Sequence, residues 1–288
     1  MDIDPVVRDR YLDRLGVEGE PPSLDGLCEL HRRHAERVPY ETLWIHGGER
    51  WDIDAHRAAN RIALDGRGGY CYHLNGAFGL LLSSLGYRVR YHMGGVHGPG
   101  GPDPTARGNH LVLTVDGLPS SNNPAGRWYV DVGLGDALHE PLPLRADSVQ
   151  QGPFQLTLAE PLPSDGDWHL RHDPTGGFTG MAWTMEEPDR ALMQRHHEWL
   201  STSPESGFVK LGLAQTRDAE GLDIMHGLVV KRIGRGARSS ETLRDRRSWF
   251  DALNDLFGLN FEASPPGTTD KLWQRTVTAH EAWERTQT

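Results

Sequence analysis

At 288 residues, with 37% apolar and 24% charged side chains, the chain is too long for one minimal core and too apolar for a long disordered region, so two or three packed units are expected. Its 30 Lys and Arg stand against 40 Asp and Glu, and the formal net charge of -10 sets nucleic-acid binding aside, because the surface as a whole repels a phosphate backbone. Two cysteines exclude a disulfide framework, and the longest apolar run, around residues 78–82, falls far short of the roughly 20 residues that span a bilayer.

The chain opens MDIDPVVRDR, with alternating charges and no basic-then-apolar leader, so a cytoplasmic location is expected, in which Cys28 and Cys71 stay thiols. Residues 5–15 read as a short helix ended by Gly16. Ser23 has N-cap chemistry for a second helix carrying Leu24, Leu27, Leu30, His31 and His34 at spacings of three and four, and Pro39 stops it. Gly68 and Gly69 form an elbow ahead of a helix marked by Leu74, Ala77, Phe78, Leu81, Leu82 and Leu85 and closed by Gly86, which puts Cys71 in its first turn. From Tyr87 the period becomes two, with Val89, Tyr91 and Met93 alternating against Arg88, Arg90 and His92, a strand with one wet face. Residues 94–108 read as a Gly/Pro loop, 111–115 and 128–132 as strands, and 154–158 and 168–171 as further strands. The last third mixes a helix near 189–200, strands at 208–213 and 228–233, and helices near 242–257 and 271–285, without internal repeats.

A cysteine in the first turn of a helix meets unpaired backbone N–H groups and the positive end of the dipole, which favour a thiolate and can receive an oxyanion. The glycines before Cys71 allow the close approach a nucleophile needs. Cys28, on an ordinary helix with no such elbow, reads as a packing residue. Of the 15 histidines, His110 opens one strand, and Asp131 lies near the end of the next, so an antiparallel hairpin brings them together. The expected register sets 110 opposite 131, because a one-residue slip would invert the faces. The chain order is then Cys71, His110, Asp131, with the carboxylate aligning the imidazole and the imidazole taking the thiol proton.

The residues around this trio resemble the arylamine N-acetyltransferase family. Arg67-Gly68-Gly69-Tyr70-Cys71-Tyr72-His73-Leu74-Asn75 is similar to its cysteine signature and Asp131-Val132-Gly133-Leu134-Gly135 to its aspartate motif. Tyr11-Leu12, Leu15-Gly16, Val38-Pro39-Tyr40-Glu41, His110-Leu111-Val112-Leu113, Ser203-Pro204 and Phe208-Val209 extend the likeness over roughly residues 8 to 260. The resemblance implies an α+β, three-domain fold: a helical bundle with Cys71 (1–86), a β-barrel with His110 and Asp131 (87–188) and an α/β lid (189–288). It also implies ping-pong transfer of an acetyl or other short acyl group from CoA to an arylamine or arylhydrazine, with acetyl-CoA as co-substrate and no permanently bound cofactor. By motif position, Tyr70, Leu134 and Phe208 fall at the acyl or acceptor pocket, and Arg67 and Glu41 support the cysteine loop. This chain departs from the family pattern at His73 (usually Glu), Thr42 (commonly Asn) and Leu134 (usually Phe), and exchanging a ring for an aliphatic chain alters the pocket.

Two rivals share the chemistry. Related amide synthases release a polyketide thioester from an acyl carrier protein onto an aryl amine, and cysteine peptidases or transglutaminase-like enzymes use the same Cys, His, Asp order. A non-enzymatic binding module is disfavoured by retention of the whole trio. His31 with His34, and His196 with His197, read as solvated helix faces rather than metal ligands. The basic residues Lys231, Arg232, Arg235, Arg238, Arg244, Arg246 and Arg247 read as solvated surface, with CoA phosphates as the functional alternative. Trp44, Trp183 and Trp199 read as packing.

Overall fold

The computed structural model describes residues 3–160, 168–235 and 237–287; Met1 and Asp2, in the opening segment, lie outside them. Helix α1 (Pro5–Leu15) begins where the Asp4 carboxylate accepts the Val6 N–H at 2.8 Å, and it ends on Gly16 with φ 66°. Helix α2 (Leu24–Arg37) starts on the expected cap, Ser23 Oγ accepting the Gly26 N–H at 3.0 Å. His31 and His34 are fully buried on α2 rather than solvated, since His34 bonds the Tyr11 hydroxyl at 2.7 Å and packs on Phe78.

Past the short strand β1 (Tyr40–Glu41) come two helices that hydropathy spacing did not reveal, α3 (Leu43–Gly47) and α4 (Ala55–Ala63). Asp54 caps α4 through the Arg57 N–H at 2.9 Å. The buried stripe of α4 is Ala58, Ala59 and Ile62, and alanine contributes little contrast to a hydropathy pattern. Helix α5 (Cys71–Ser84) buries every residue from Cys71 to Gly79, because it packs on α1 and α4 on one side and on strands β2 and β3 on the other.

Those strands belong to an eight-stranded antiparallel half-barrel, made of β2 (Arg88–His97), β3 (His110–Asp116), β4 (Arg127–Val130), β5 (Leu142–Pro143), β6 (Asp147–Gln151), β7 (Phe154–Ala159), β8 (Trp168–Arg171) and β9 (Gly180–Trp183), in the order β5-β4-β3-β2-β9-β8-β7-β6. The expected loop from residue 94 starts only after His97: Gly94–His97 continue β2 and pair with β9. The glycines serve close packing, since a Cβ on Gly94 would meet Met181 Sδ at 2.7 Å and one on Gly95 the Ala106 carbonyl at 3.1 Å.

The C-terminal part holds α6 (Arg190–Thr202), α7 (Gly207–Lys210), strands β10 (Leu213–Arg217), β11 (Gly221–His226), β12 (Val229–Gly234) and β13 (Ala237–Thr242), then α8 (Arg246–Phe257) and α9 (Thr268–Gln287). Phe208 lies on a one-turn helix capped by Ser206, not on a strand, and Thr242 ends β13 rather than opening a helix, because Asp245 supplies the N-cap of α8 through the Ser248 N–H at 2.9 Å. The sheet order β1-β10-β11-β12-β13 ties the N-terminal region to this layer, with Tyr40 opposite Gln215. Among the described residues, no helix is long and apolar enough to cross a membrane. Trp44 and Trp183 are core residues at 1% exposure, whereas Trp199, on the outer face of α6, is 51% exposed.

Candidate active site

Cys71 is the first residue of α5, where the geometry of a helix start leaves backbone N–H groups without intrahelical acceptors. The elbow before it needs its glycines. A Cβ on Gly68 would stand 1.9 Å from the Pro39 carbonyl oxygen, and Gly69 adopts φ 149° while its carbonyl accepts the Glu41 N–H at 2.8 Å. The aspartate motif closes over the same point, since a Cβ on Gly133 would lie 2.7 Å from Cys71 Cα. Cys71 Sγ sits 3.5 Å from the Asn109 carbonyl oxygen and borders a cavity of about 300 Å³ that His110, Leu134 and Phe208 also line.

His110 Nε2 lies 2.7 Å from Asp131 Oδ2, both side chains buried, so Nδ1 is the ring nitrogen left for the sulfur. The register differs from the expected one. Leu113 pairs with Val130, and one more step sets Val112, not His110, opposite Asp131. The offset is two residues, so the faces are preserved and the contact is diagonal. Asp131 is saturated: Oδ2 takes His110 and the Tyr129 hydroxyl (2.8 Å), while Oδ1 takes Asn75 Nδ2 (2.7 Å) and the Gly133 N–H (2.9 Å). Burial works against the charge on Asp131, and the His110 ion pair with these hydrogen bonds outweighs it, holding the carboxyl below its usual range. For His110, burial also opposes charge, but the Asp131 carboxylate, the Cys71 sulfur and hydrogen bonds to both push the imidazolium up to about 10.

A nucleophile at a helix start, a buried imidazole and a saturated carboxylate on neighbouring strands can activate a thiol for acyl transfer. The N-acetyltransferase family model matches residues 23–265. The arylamine N-acetyltransferase of Mycobacterium tuberculosis is 31% identical over 267 residues, covering 87% of this chain and 88% of its own. The chain belongs to the arylamine N-acetyltransferase family. The enzyme of Mycolicibacterium smegmatis is 34% identical over 207 residues, covering 69% of this chain and 72% of its own. The Mycobacterium marinum arylamine N-acetyltransferase in complex with CoA superposes with a TM-score of 0.81 at 28% identity, covering 94% of this chain and 98% of that one.

Within this arylamine N-acetyltransferase fold the remaining motif residues fall at two depths. Leu134 and Phe208 reach the cavity, whereas Tyr70 is wholly buried behind it, its hydroxyl donating to His197 Nδ1 at 2.5 Å and its ring 5.4 Å from that of Phe208. His197 is therefore no solvated residue. Its Nε2–H donates to the Trp51 carbonyl at 2.7 Å, while His196, on the exposed side, faces the Arg107 carbonyl at 2.9 Å. His73, in place of the family's Glu, still serves as a cap, with Nδ1 accepting the Tyr70 N–H at 3.3 Å and Nε2 donating to the Asp52 carbonyl at 3.0 Å. Thr42 Oγ1 accepts the Leu213 N–H at 3.1 Å and so ties β1 to β10. Of the basic cluster, Arg232 pairs with Asp218 and Asp223, Arg244 with Glu284, Arg246 with Asp270 and Arg247 with Asp251. No group of three or more His, Cys, Asp or Glu among the described residues is placed to hold a metal.

Arg67 and Glu41 form an ion pair at 3.0 Å beneath the elbow; Glu41 is fully buried and its Oε2 accepts the Leu43 N–H at 2.8 Å. Arg67→Met leaves that carboxylate without its cation, and a loss of about 3–5 kcal/mol in denaturant-derived stability is expected; a loss under about 1 kcal/mol would show that the pair carries no support.

Sequence reasoning missed Tyr129 and the role of His31. His31 Nδ1–H donates to the His139 carbonyl (3.0 Å) and its Nε2 accepts the Asp131 N–H (3.3 Å), so it braces the backbone of Asp131. Burial pushes His31 and His46 down to about 4, and pushes His34 and His73 well below the ordinary range. These rings bind protons in the unfolded chain before they do in the folded one, so stability is lost as pH falls from 6.5 towards 4, by roughly 3 kcal/mol for His31. His110 has the opposite sign: its contribution is complete below 6.5 and is lost as pH rises towards 10, so it adds no slope on the acid side. A melting temperature that declines from pH 6.5 to 4.5 is expected, and a flat profile would contradict the buried neutral rings.

Proposed function

We propose that the chain is a cytoplasmic arylamine N-acetyltransferase that carries an acetyl group on Cys71. His110, held by Asp131, takes the thiol proton, and the thiolate attacks the acetyl-CoA carbonyl while the first-turn N–H groups of α5 receive the developing oxyanion. The carbon–sulfur bond to CoA breaks, His110 returns the proton to the departing sulfur, and acetyl-Cys71 remains. An arylamine or arylhydrazine then attacks the new thioester, His110 accepts a proton from its nitrogen, and the Cys71 thiol is restored. What carries this reading is the hydrogen bond between Asp131 and His110, with the His110 ring and the Cys71 sulfur on the wall of one cavity, in a chain of this family. In the same reading residues 1–86 supply the nucleophile, 87–188 the base and its carboxylate, and 189–288 the lid over the acceptor. Tyr70, Leu134 and Phe208 shape the pocket, with Tyr70 acting from behind Phe208.

Intact-mass measurement after incubation with acetyl-CoA should find one added acetyl, about 42 Da, on Cys71, removed by an aryl amine. An adduct only from a longer, carrier-bound acyl thioester would replace this reading with the amide synthase, and amide turnover without a thioester donor would replace it with the peptidase.

A further inference from the structure

The cavity beside Cys71 is mostly apolar, walled by Leu134, Phe178, Leu200, Phe208 and Leu213, and in such a slot the few polar groups decide how a ligand lies. Asp136, Gln215 and Tyr40 all line it. Tyr40 and Gln215 are register partners in β1 and β10, so their side chains leave the sheet on one face. The turn at Gly135, with φ 74°, lies against Gln215, where an added Cβ would come within 2.1 Å of Oε1, and this turn delivers Asp136 to the same wall.

Asp136 is 3% exposed, and its Oδ2 accepts the Gly177 N–H at 2.5 Å. Oδ1 lies 3.6 Å from His172 Nε2, a nitrogen already directed at the Asp136 carbonyl oxygen at 3.2 Å. Arg217 also acts on it, but the Nη atoms of that guanidinium donate to the carbonyl oxygens of Gln151 (2.7 Å), Gly221 (2.8 Å) and Asp218. Oδ1 therefore keeps capacity to accept a hydrogen bond. Burial pushes the carboxyl up, and a donor or cation arriving in the cavity would relieve that cost, whereas an arriving anion would add to it.

We infer that Asp136, flanked by Gln215 and Tyr40, selects the acceptor: the cavity takes aryl amines with a hydrogen-bond-donating or cationic group opposite the reacting nitrogen and turns away those with a carboxylate there. The inference rests on the acyl-transfer reading of Cys71. Like charges forced together at a buried site reject a ligand more strongly than a lost contact does.

Two planar isosteres of opposite charge test it, 4-aminobenzamidine and 4-aminobenzoate, with acetyl-CoA as donor. The chain should favour the amidine in kcat/KM by at least about tenfold, expressed in KM. Asp136→Asn should narrow the ratio to within about threefold, and Gln215→Glu should widen it. Equal use of the two acceptors, a preference for the benzoate, or a ratio unmoved by Asp136→Asn overturns the inference. Should Asp136→Asn fail to fold, the wild-type ratio and Gln215→Glu decide. Absence of the acetyl adduct on Cys71 would instead remove the acyl-transfer reading, so the two failures are distinguishable.

Discussion

With Cys71 replaced by serine, incubation with acetyl-CoA leaves the chain at its starting mass and acceptor turnover falls by at least about 10⁴-fold. The substitution keeps the shape of the site, including a polar atom near the Asn109 carbonyl and the approach of Gly133 to the helix start, so the loss reads chemistry rather than folding. A hydroxyl holds its proton far more tightly than a thiol, so serine removes the sulfur charge that helps hold the His110 imidazolium up to about 10, and no alkoxide forms in its place. His110→Ala completes the comparison. It keeps the sulfur and removes its proton partner, and iodoacetamide alkylation of Cys71 at pH 6 should slow by about 100-fold. Alkylation at the wild-type rate would show that the sulfur is activated without the ring.

Asp131→Asn should cost about 10⁴-fold in kcat and, unlike the cysteine change, also destabilise the fold. The carboxylate accepts from His110, Tyr129, Asn75 and the Gly133 N–H. An amide presents an NH₂ where one oxygen stood, so two donors face each other at a buried point whichever way it is turned. If the NH₂ meets His110, the ring must offer an unprotonated Nε2, and the proton moves to the nitrogen that should receive the thiol's. An unfolding free energy lower by about 1–3 kcal/mol, measured in urea, should accompany the kinetic loss. Full activity in Asp131→Asn would show that the carboxylate does not set the tautomer.

Much of the site was legible along the chain because its signals are local. Gly68-Gly69 before Cys71 mark an elbow, the three- and four-residue spacing from Leu74 to Leu85 marks the helix it opens, and the alternation from Tyr87 marks the sheet that carries His110. Parity of the hairpin was an assumption, the one that puts His110 and Asp131 on one face; the exact pairing depended on where the loop between them closed, and the ladder lies two residues from the expected register with the faces unchanged. Helix α4 escaped notice because alanine buries its face, and β2 ran past its expected end because Gly94 and Gly95 were read as flexible when they serve close packing.

Sequence alone determined which residues are proposed to carry the chemistry and in what order, because the elbow before Cys71, the two strands that bear His110 and Asp131 and the motifs around all three are local features of the chain. What only the tertiary structure decided is what surrounds them. His31 on α2 reaches Asp131 across 100 residues of chain, Tyr70 meets His197 across 127, and Tyr40 shares a wall with Gln215 through the β1–β10 pairing. Such contacts follow from how helices and sheets dock, a matter of long-range packing on which local hydropathy is silent.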